Sequence, residues 1–90
     1  MPYRIAYHPE VRDDLARINT SMKKRLKTAI ESRLMTAPEN YGEPLRKTLK
    51  GYWKLRVEDY RIVYKIAGVE LLVFGIIHRK TVYGEIPRRL

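Results

Sequence analysis

The chain has 90 residues, with 19 Lys and Arg against 10 Asp and Glu, so its formal net charge is +9. That length suits a single domain over residues 1–90 with one layer of helix against sheet, and it excludes large multidomain enzymes and transporters. Hydrophobic residues at 44% and charged residues at 32% give the balance of a folded domain, and the excess of cations favours a polyanionic partner, most commonly nucleic acid. The absence of cysteine rules out disulfides, thiolate nucleophiles and Cys-based zinc sites. Residues 1–10 hold no continuous apolar run of the secretory type, and the longest such run, Leu71 to Ile77, is too short to cross a bilayer. The expectation is a cytoplasmic protein with no membrane partner.

Tyr3, Ile5 and Tyr7 alternate with Arg4 and Ala6, the period of a strand with one face on a core, and His8-Pro9 ends it. Val11, Leu15 and Ile18 then fall at helical spacing, with Arg12, Asp13, Asp14 and Arg17 on the other side. Asn19-Thr20-Ser21 is a cluster of capping residues, and Met22, Leu26, Ala29, Ile30 and Leu34 form a second apolar stripe up to Ala37-Pro38. The connection is short, so the two helices are expected to form a hairpin. Pro38 to Pro44, with two prolines, Asn40 and Gly42, reads as a loop returning to the sheet. Beyond it the period becomes two: Trp53, Leu55 and Val57, then Tyr60, Ile62, Tyr64 and Ile66. After a turn at Ala67-Gly68, Val69 to Ile77 is almost wholly apolar, as in an inner strand covered on both faces. The expected fold class is α+β, in the order β-α-α-β-β-β, with a helical hairpin packed on one face of a mostly antiparallel sheet.

The hairpin distinguishes the two faces of that sheet. A two-residue loop at Glu58-Asp59 pairs Val57 with Tyr60, Arg56 with Arg61, Leu55 with Ile62, Lys54 with Val63 and Trp53 with Tyr64. That register puts the apolar set under the helices and gathers Lys54, Arg56, Arg61 and Lys65 on the other face, with two arginines directly opposite each other. An anion would relieve this repulsion. Glu-Asp is a poor signal for a two-residue primed turn, so a longer loop is the alternative, and a slip by one residue would reverse the faces and bury the charges. The stretch from Pro44 to Val57 adds Arg46, Lys47 and Lys50 with no acid, and the last strand leads to His78-Arg79-Lys80 and Tyr83. Basic groups, Tyr52, an imidazole and a phenol beside an exposed sheet suit phosphate binding and base stacking. A solvated face of snorkelling side chains is the competing reading.

Gly51-Tyr52-Trp53-Lys54-Leu55-Arg56-Val57-Glu58-Asp59-Tyr60-Arg61-Ile62-Val63-Tyr64, followed by Gly75-Ile76-Ile77-His78-Arg79-Lys80-Thr81-Val82-Tyr83, resembles the RelE branch of the RelE/ParE toxins. The resemblance spans nearly the whole chain. It implies the toxin of a type II toxin-antitoxin pair, an mRNA interferase that enters the ribosomal A site and cuts the message there. It also implies a RelB-like antitoxin as partner, the ribosome and mRNA as targets, and contact with DNA only through the antitoxin. Lys54, Arg61, Arg79 and Tyr83 match the positions that act on the scissile phosphate in RelE-like toxins. The sequence departs from that pattern at Tyr52, where a second lysine is frequent, and only three residues separate Arg79 from Tyr83.

With no cysteine, clear metal-ligand cluster or P-loop in the sequence, the simplest nuclease chemistry uses the RNA's own 2′-hydroxyl and neither cofactor nor metal. The protein must then accept the 2′ proton, stabilise charge on the phosphorane-like transition state and protonate the leaving 5′ oxygen. Arg61, Arg79 and Lys54 suit the charge stabilisation. Tyr83 is a candidate for proton transfer or base stacking, and His78 is a possible acid-base group by its ordinary pKa. Arg46, Lys47, Lys50, Tyr52, Arg56, Lys65 and Lys80 are candidate RNA-binding residues. A gyrase poison of the ParE type and a non-catalytic RNA-binding module remain alternatives.

Overall fold

The computed structural model describes residues 3–45 and 49–90. In chain order these form β1 (Arg4–Tyr7), α1 (Val11–Ala16), α2 (Thr20–Ala29) running on into a π-helical turn (Ile30–Leu34), α3 (Pro38–Tyr41) and β2 (Glu43–Pro44). Then come β3 (Trp53–Val57), β4 (Tyr60–Ala67), β5 (Glu70–His78) and α4 (Val82–Arg89). The sheet order is β1-β5-β4-β3-β2, antiparallel except where β1 runs parallel to β5. The architecture is α+β with helices against a mostly antiparallel sheet, as expected.

Local chemistry explains the helical side. The Asn19 side chain accepts from the Met22 N–H at 2.8 Å, capping α2. The stripe Met22, Leu26, Ala29, Ile30 and Leu34 is buried along its whole length. It packs on Leu55, Ile62 and Tyr64 of the hairpin and on Leu71, Val73 and Ile76 of β5. The hairpin has the expected register, from Val57 opposite Tyr60 to Trp53 opposite Tyr64. Its two-residue turn holds Glu58 at φ 54°, a left-handed conformation that few side chains favour. The Arg61 guanidinium donates to the Glu58 carbonyl at 2.9 Å, and Arg25 pairs with the Glu58 carboxylate, so contacts from both sides hold the turn.

Three features correct the sequence reading. Pro38 to Pro44 is not a plain loop: Pro38 opens α3 in the first-turn position where its missing N–H costs nothing, and Glu43–Pro44 forms a short edge strand on β3. The expected order ends on a strand, whereas Val82–Arg89 is a further helix with Val82 and Ile86 buried. Consequently the second face of the sheet is only half open. Val63 and Ile77 lie in a second apolar cluster with Val82 and Ile86 of α4 and with Leu45 and Leu49. A bulge makes room for it: Val63 pairs with Gly75 but Tyr64 pairs with Val73, leaving Phe74 as the extra residue. The bulge changes the phase of β5. Val73 and Ile76 both face the helical hairpin, while Phe74 and Ile77 both face α4.

Candidate active site

The basic half of the second face is built by β3, β4, the turn between them and the first turn of α4. Lys54, opposite Val63 in the hairpin, extends its ammonium to Tyr83 of α4 and donates to the phenolic oxygen at 2.9 Å. The same nitrogen lies 5.3 Å from the centre of the Tyr83 ring. Tyr83 is 54% exposed, so its hydroxyl is accessible to a ligand while held by the lysine. Since the lysine donates, the phenol's own hydrogen is free to go elsewhere.

Arg61 is opposite Arg56, and its residue is only 9% exposed. Its guanidinium donates to the carbonyls of Glu58 and Tyr60, each at 2.9 Å, and meets no carboxylate among the described hydrogen bonds and ion pairs. Burial, then the charges of Arg56 and Arg79, push its pKa down from the ordinary arginine value, with Asp59 and Glu43 pulling the other way. An arginine at that position still carries its charge. It is therefore an oriented cation in a site that repels further cations. Arg79 reaches the site from the end of β5: its N–H donates to the Asp59 carbonyl at 2.8 Å, and its Nε lies 3.4 Å from the Asp59 carboxylate. The hairpin turn thus anchors Arg79 beside Arg61.

The remaining candidates are spread around this centre. Arg56 and Lys65 are exposed on the same face as Arg61, and Lys65 sits 5.6 Å above the Tyr52 ring, which itself meets Phe74 edge-on. Arg61 to Lys65 spans about 13 Å along β4, so the cations form a stripe. Lys50 and Lys80 are exposed in turns flanking it. Arg46 and Lys47 lie outside the described residues. His78 is not brought to the stripe. Its ladder partner is Tyr60, on the face under the helices, with the two rings edge-on at 5.6 Å, and its Nδ1 accepts from the Lys80 N–H at 3.2 Å. The bulge at Phe74 sets that phase, which no alternation in the sequence reveals. Among the described residues no group of three or more His, Asp or Glu is placed to hold a metal ion, and no helix is long and apolar enough to cross a membrane.

What sequence reasoning missed is α4 as a structural support for Tyr83. The pair Val82 and Ile86 at helical spacing is its signal, hidden by Gly84 and Pro87 within eight residues.

A helical hairpin on one face of a mostly antiparallel sheet is the fold of a family of small toxins. The crystal structure of the RelBE2 toxin-antitoxin complex from Mycobacterium tuberculosis contains a chain that matches 88% of this one over its full length (100%), with TM-score 0.81 and 25% identity. An arginine-to-alanine double mutant of Escherichia coli toxin RelE in the free state has the same fold, with TM-score 0.76 over 100% of this chain and 99% of that one at 19% identity. Among curated proteins, toxin RelE3 of Methanocaldococcus jannaschii is 30% identical over 77 residues, covering 82% of this chain and 88% of that protein. The family model described as ParE toxin of type II toxin-antitoxin system, parDE, matches residues 5–83. The chain belongs to this RelE/ParE family of type II toxins, and it is RelE-like.

Proposed function

We propose that this toxin is an endoribonuclease, an mRNA interferase that cuts mRNA in the ribosomal A site without a metal or other cofactor. The observation that carries this reading is the Lys54–Tyr83 contact at 2.9 Å beside a buried arginine that meets no carboxylate among the described hydrogen bonds and ion pairs. In the reaction the RNA 2′-hydroxyl loses its proton and its oxygen attacks the adjacent phosphorus. The bond from phosphorus to the 5′ oxygen breaks, the phosphate is left as a 2′,3′-cyclic diester, and the 5′ oxygen takes up a proton. Tyr83 gives its phenolic proton to the 5′ oxygen, Lys54 stabilises the phenolate left behind, and the 2′ proton passes to water. Arg61 and Arg79 offer planar forks to the non-bridging oxygens, where charge develops. Arg56, Lys65, Tyr52, Lys50 and Lys80 extend the surface along the RNA, through phosphate contacts and a ring available for stacking.

A RelB-type antitoxin is the proposed natural restraint on this activity. Toxins of this fold have been solved in RelBE2 and RelB–RelE antitoxin complexes, and a chain of net charge +9 calls for an acidic segment that associates fast and salt-sensitively. A gyrase poison of the ParE type is the second reading, favoured by the match of residues 5–83 to the ParE toxin family model. One translation assay with mapping of mRNA ends, run beside a supercoiling assay, separates the readings. Cuts in the A-site codon support the interferase; blocked supercoiling with intact mRNA overturns it in favour of the poison. Neither effect leaves an RNA-binding module.

A further inference from the structure

Strand β1 ends at Tyr7, opposite Val73 of β5, and the His8 N–H still donates to the Val73 carbonyl at 2.8 Å. Beyond that point β5 has lost its neighbour on this side, and buried backbone groups there need partners. Two side chains supply them. Asp14 of α1 accepts from the Ile76 N–H at 3.0 Å, and Arg89 of α4 donates to the Phe74 carbonyl at 3.0 Å. The same two side chains bind each other through both oxygens, at 2.7 and 2.8 Å, with side-chain exposures of 4% and 3%. Glu85 and Glu10 stand further off, at 3.6 and 3.8 Å from the guanidinium. Gly75 opens the path for Arg89, since a Cβ there would lie 2.9 Å from the Arg89 Nη1.

This pair holds the end of a helix that is weak by itself. Helix α4 has eight residues, including Gly84 and Pro87, far below the length at which helices persist alone. Pro87 has no N–H to give to the Tyr83 carbonyl, so the helical ladder is interrupted at the residue whose side chain matters most. Packing of Val82 and Ile86 is apolar and without direction, whereas a two-pronged arginine–carboxylate pair fixes an orientation. Arg89 lies six positions along the helix from Tyr83, about 9 Å along the axis.

We propose that the buried Asp14–Arg89 pair is the positioning device that holds α4, and with it Tyr83, against Lys54. Its bearing on cleavage rests on the role given to Tyr83 above. Arg89→Lys keeps the charge and loses the fork, and Asp14→Asn keeps an acceptor for Ile76 while removing the charge, so each checks the other if one fails to fold. Two measurements decide the matter. In amide hydrogen exchange of the free toxin, protection in residues 82–89 is expected to fall by about tenfold or more while β4 keeps wild-type protection. In single-turnover cleavage on programmed ribosomes, Arg89→Lys is expected to lower the rate by about tenfold or more with KM changed by less than about twofold. Adding Tyr83→Phe to Arg89→Lys should then cost less than about twofold more, because the hydroxyl is already displaced. Unchanged exchange in α4 overturns the proposal, as do effects of the two substitutions that simply multiply. If Tyr83→Phe alone leaves wild-type cleavage intact, it is the assignment of Tyr83 to the reaction that fails. The holding of α4 is then upheld or overturned by the exchange result.

Discussion

Under α1 and α2 the sheet carries an unbroken apolar layer in which Ile62, Tyr64 and Leu71 have no exposed surface. On the opposite face the apolar layer stops half-way. Val63 and Ile77 are sealed by α4, and next to them stand Lys54, Arg56, Arg61 and Lys65. The first face obtains most of its stability from area, since its apolar side chains contribute by leaving water. The second sets cations beside a low-dielectric wall, where their field on a phosphate is least screened. The difference teaches that α4 does two jobs: it closes a small core and it brings a phenol to the boundary of that core.

Cutting the link between the two faces should have the largest effect. Asp14→Ala leaves the Arg89 guanidinium buried without its partner, and about 3–5 kcal/mol of stability is expected to be lost in urea unfolding. A loss below about 1 kcal/mol would mean that the pair does not join the faces. Next comes Arg61→Ala, which should lower ribosome-dependent cleavage by about 10²–10³-fold with the apolar face intact. Near-normal cleavage by a folded variant would remove Arg61 from the reaction.

Two glycines sharpen the comparison within the second face. Gly75→Ala would put a Cβ 2.8 Å from methyl carbons of Ile77 and Ile86, an overpacking expected to cost about 1–3 kcal/mol. Gly84→Ala meets nothing within 4 Å and should instead stabilise α4 by about 0.4–1 kcal/mol. Thermal unfolding of both variants checks the opposite signs.

On the first face, the buried Tyr64 hydroxyl donates to the Pro38 carbonyl at 2.7 Å, and Tyr64→Phe should cost about 0.5–1.5 kcal/mol. Burial, then the Glu39 carboxylate, push the Tyr64 phenol above its ordinary value of 10.0. A raised folded pKa means that this contribution is complete below pH 10.0 and is lost as pH rises toward the folded value. Wild type should therefore lose stability more steeply than Tyr64→Phe in alkaline unfolding, and equal slopes would contradict this. The smallest effect is expected at Arg25→Ala, whose partner Glu58 is also exposed. A change of about 0–1 kcal/mol, shrinking further with salt, is the expected result.

The helical hairpin, the strand pairing and the division of the hairpin's residues between two faces were legible in the sequence. Each rests on a local period or a turn length: Met22, Leu26 and Ile30 along α2, and a two-residue turn at Glu58-Asp59, whose pairing of Val57 with Tyr60 the structure has. The same register placed Lys54, Arg56, Arg61 and Lys65 together, because alternation by itself puts them on one side. Three matters were decided only by the tertiary structure. The Phe74 bulge shifts the phase of β5 and turns His78 under the helices, since an extra residue in an apolar run changes no local pattern. Helix α4 forms over a glycine and a proline because Val82 and Ile86 find a core that other strands provide. The Asp14–Arg89 pair joins residues 75 positions apart to satisfy backbone groups that β1 leaves open, and nothing near either residue in the chain signals that need.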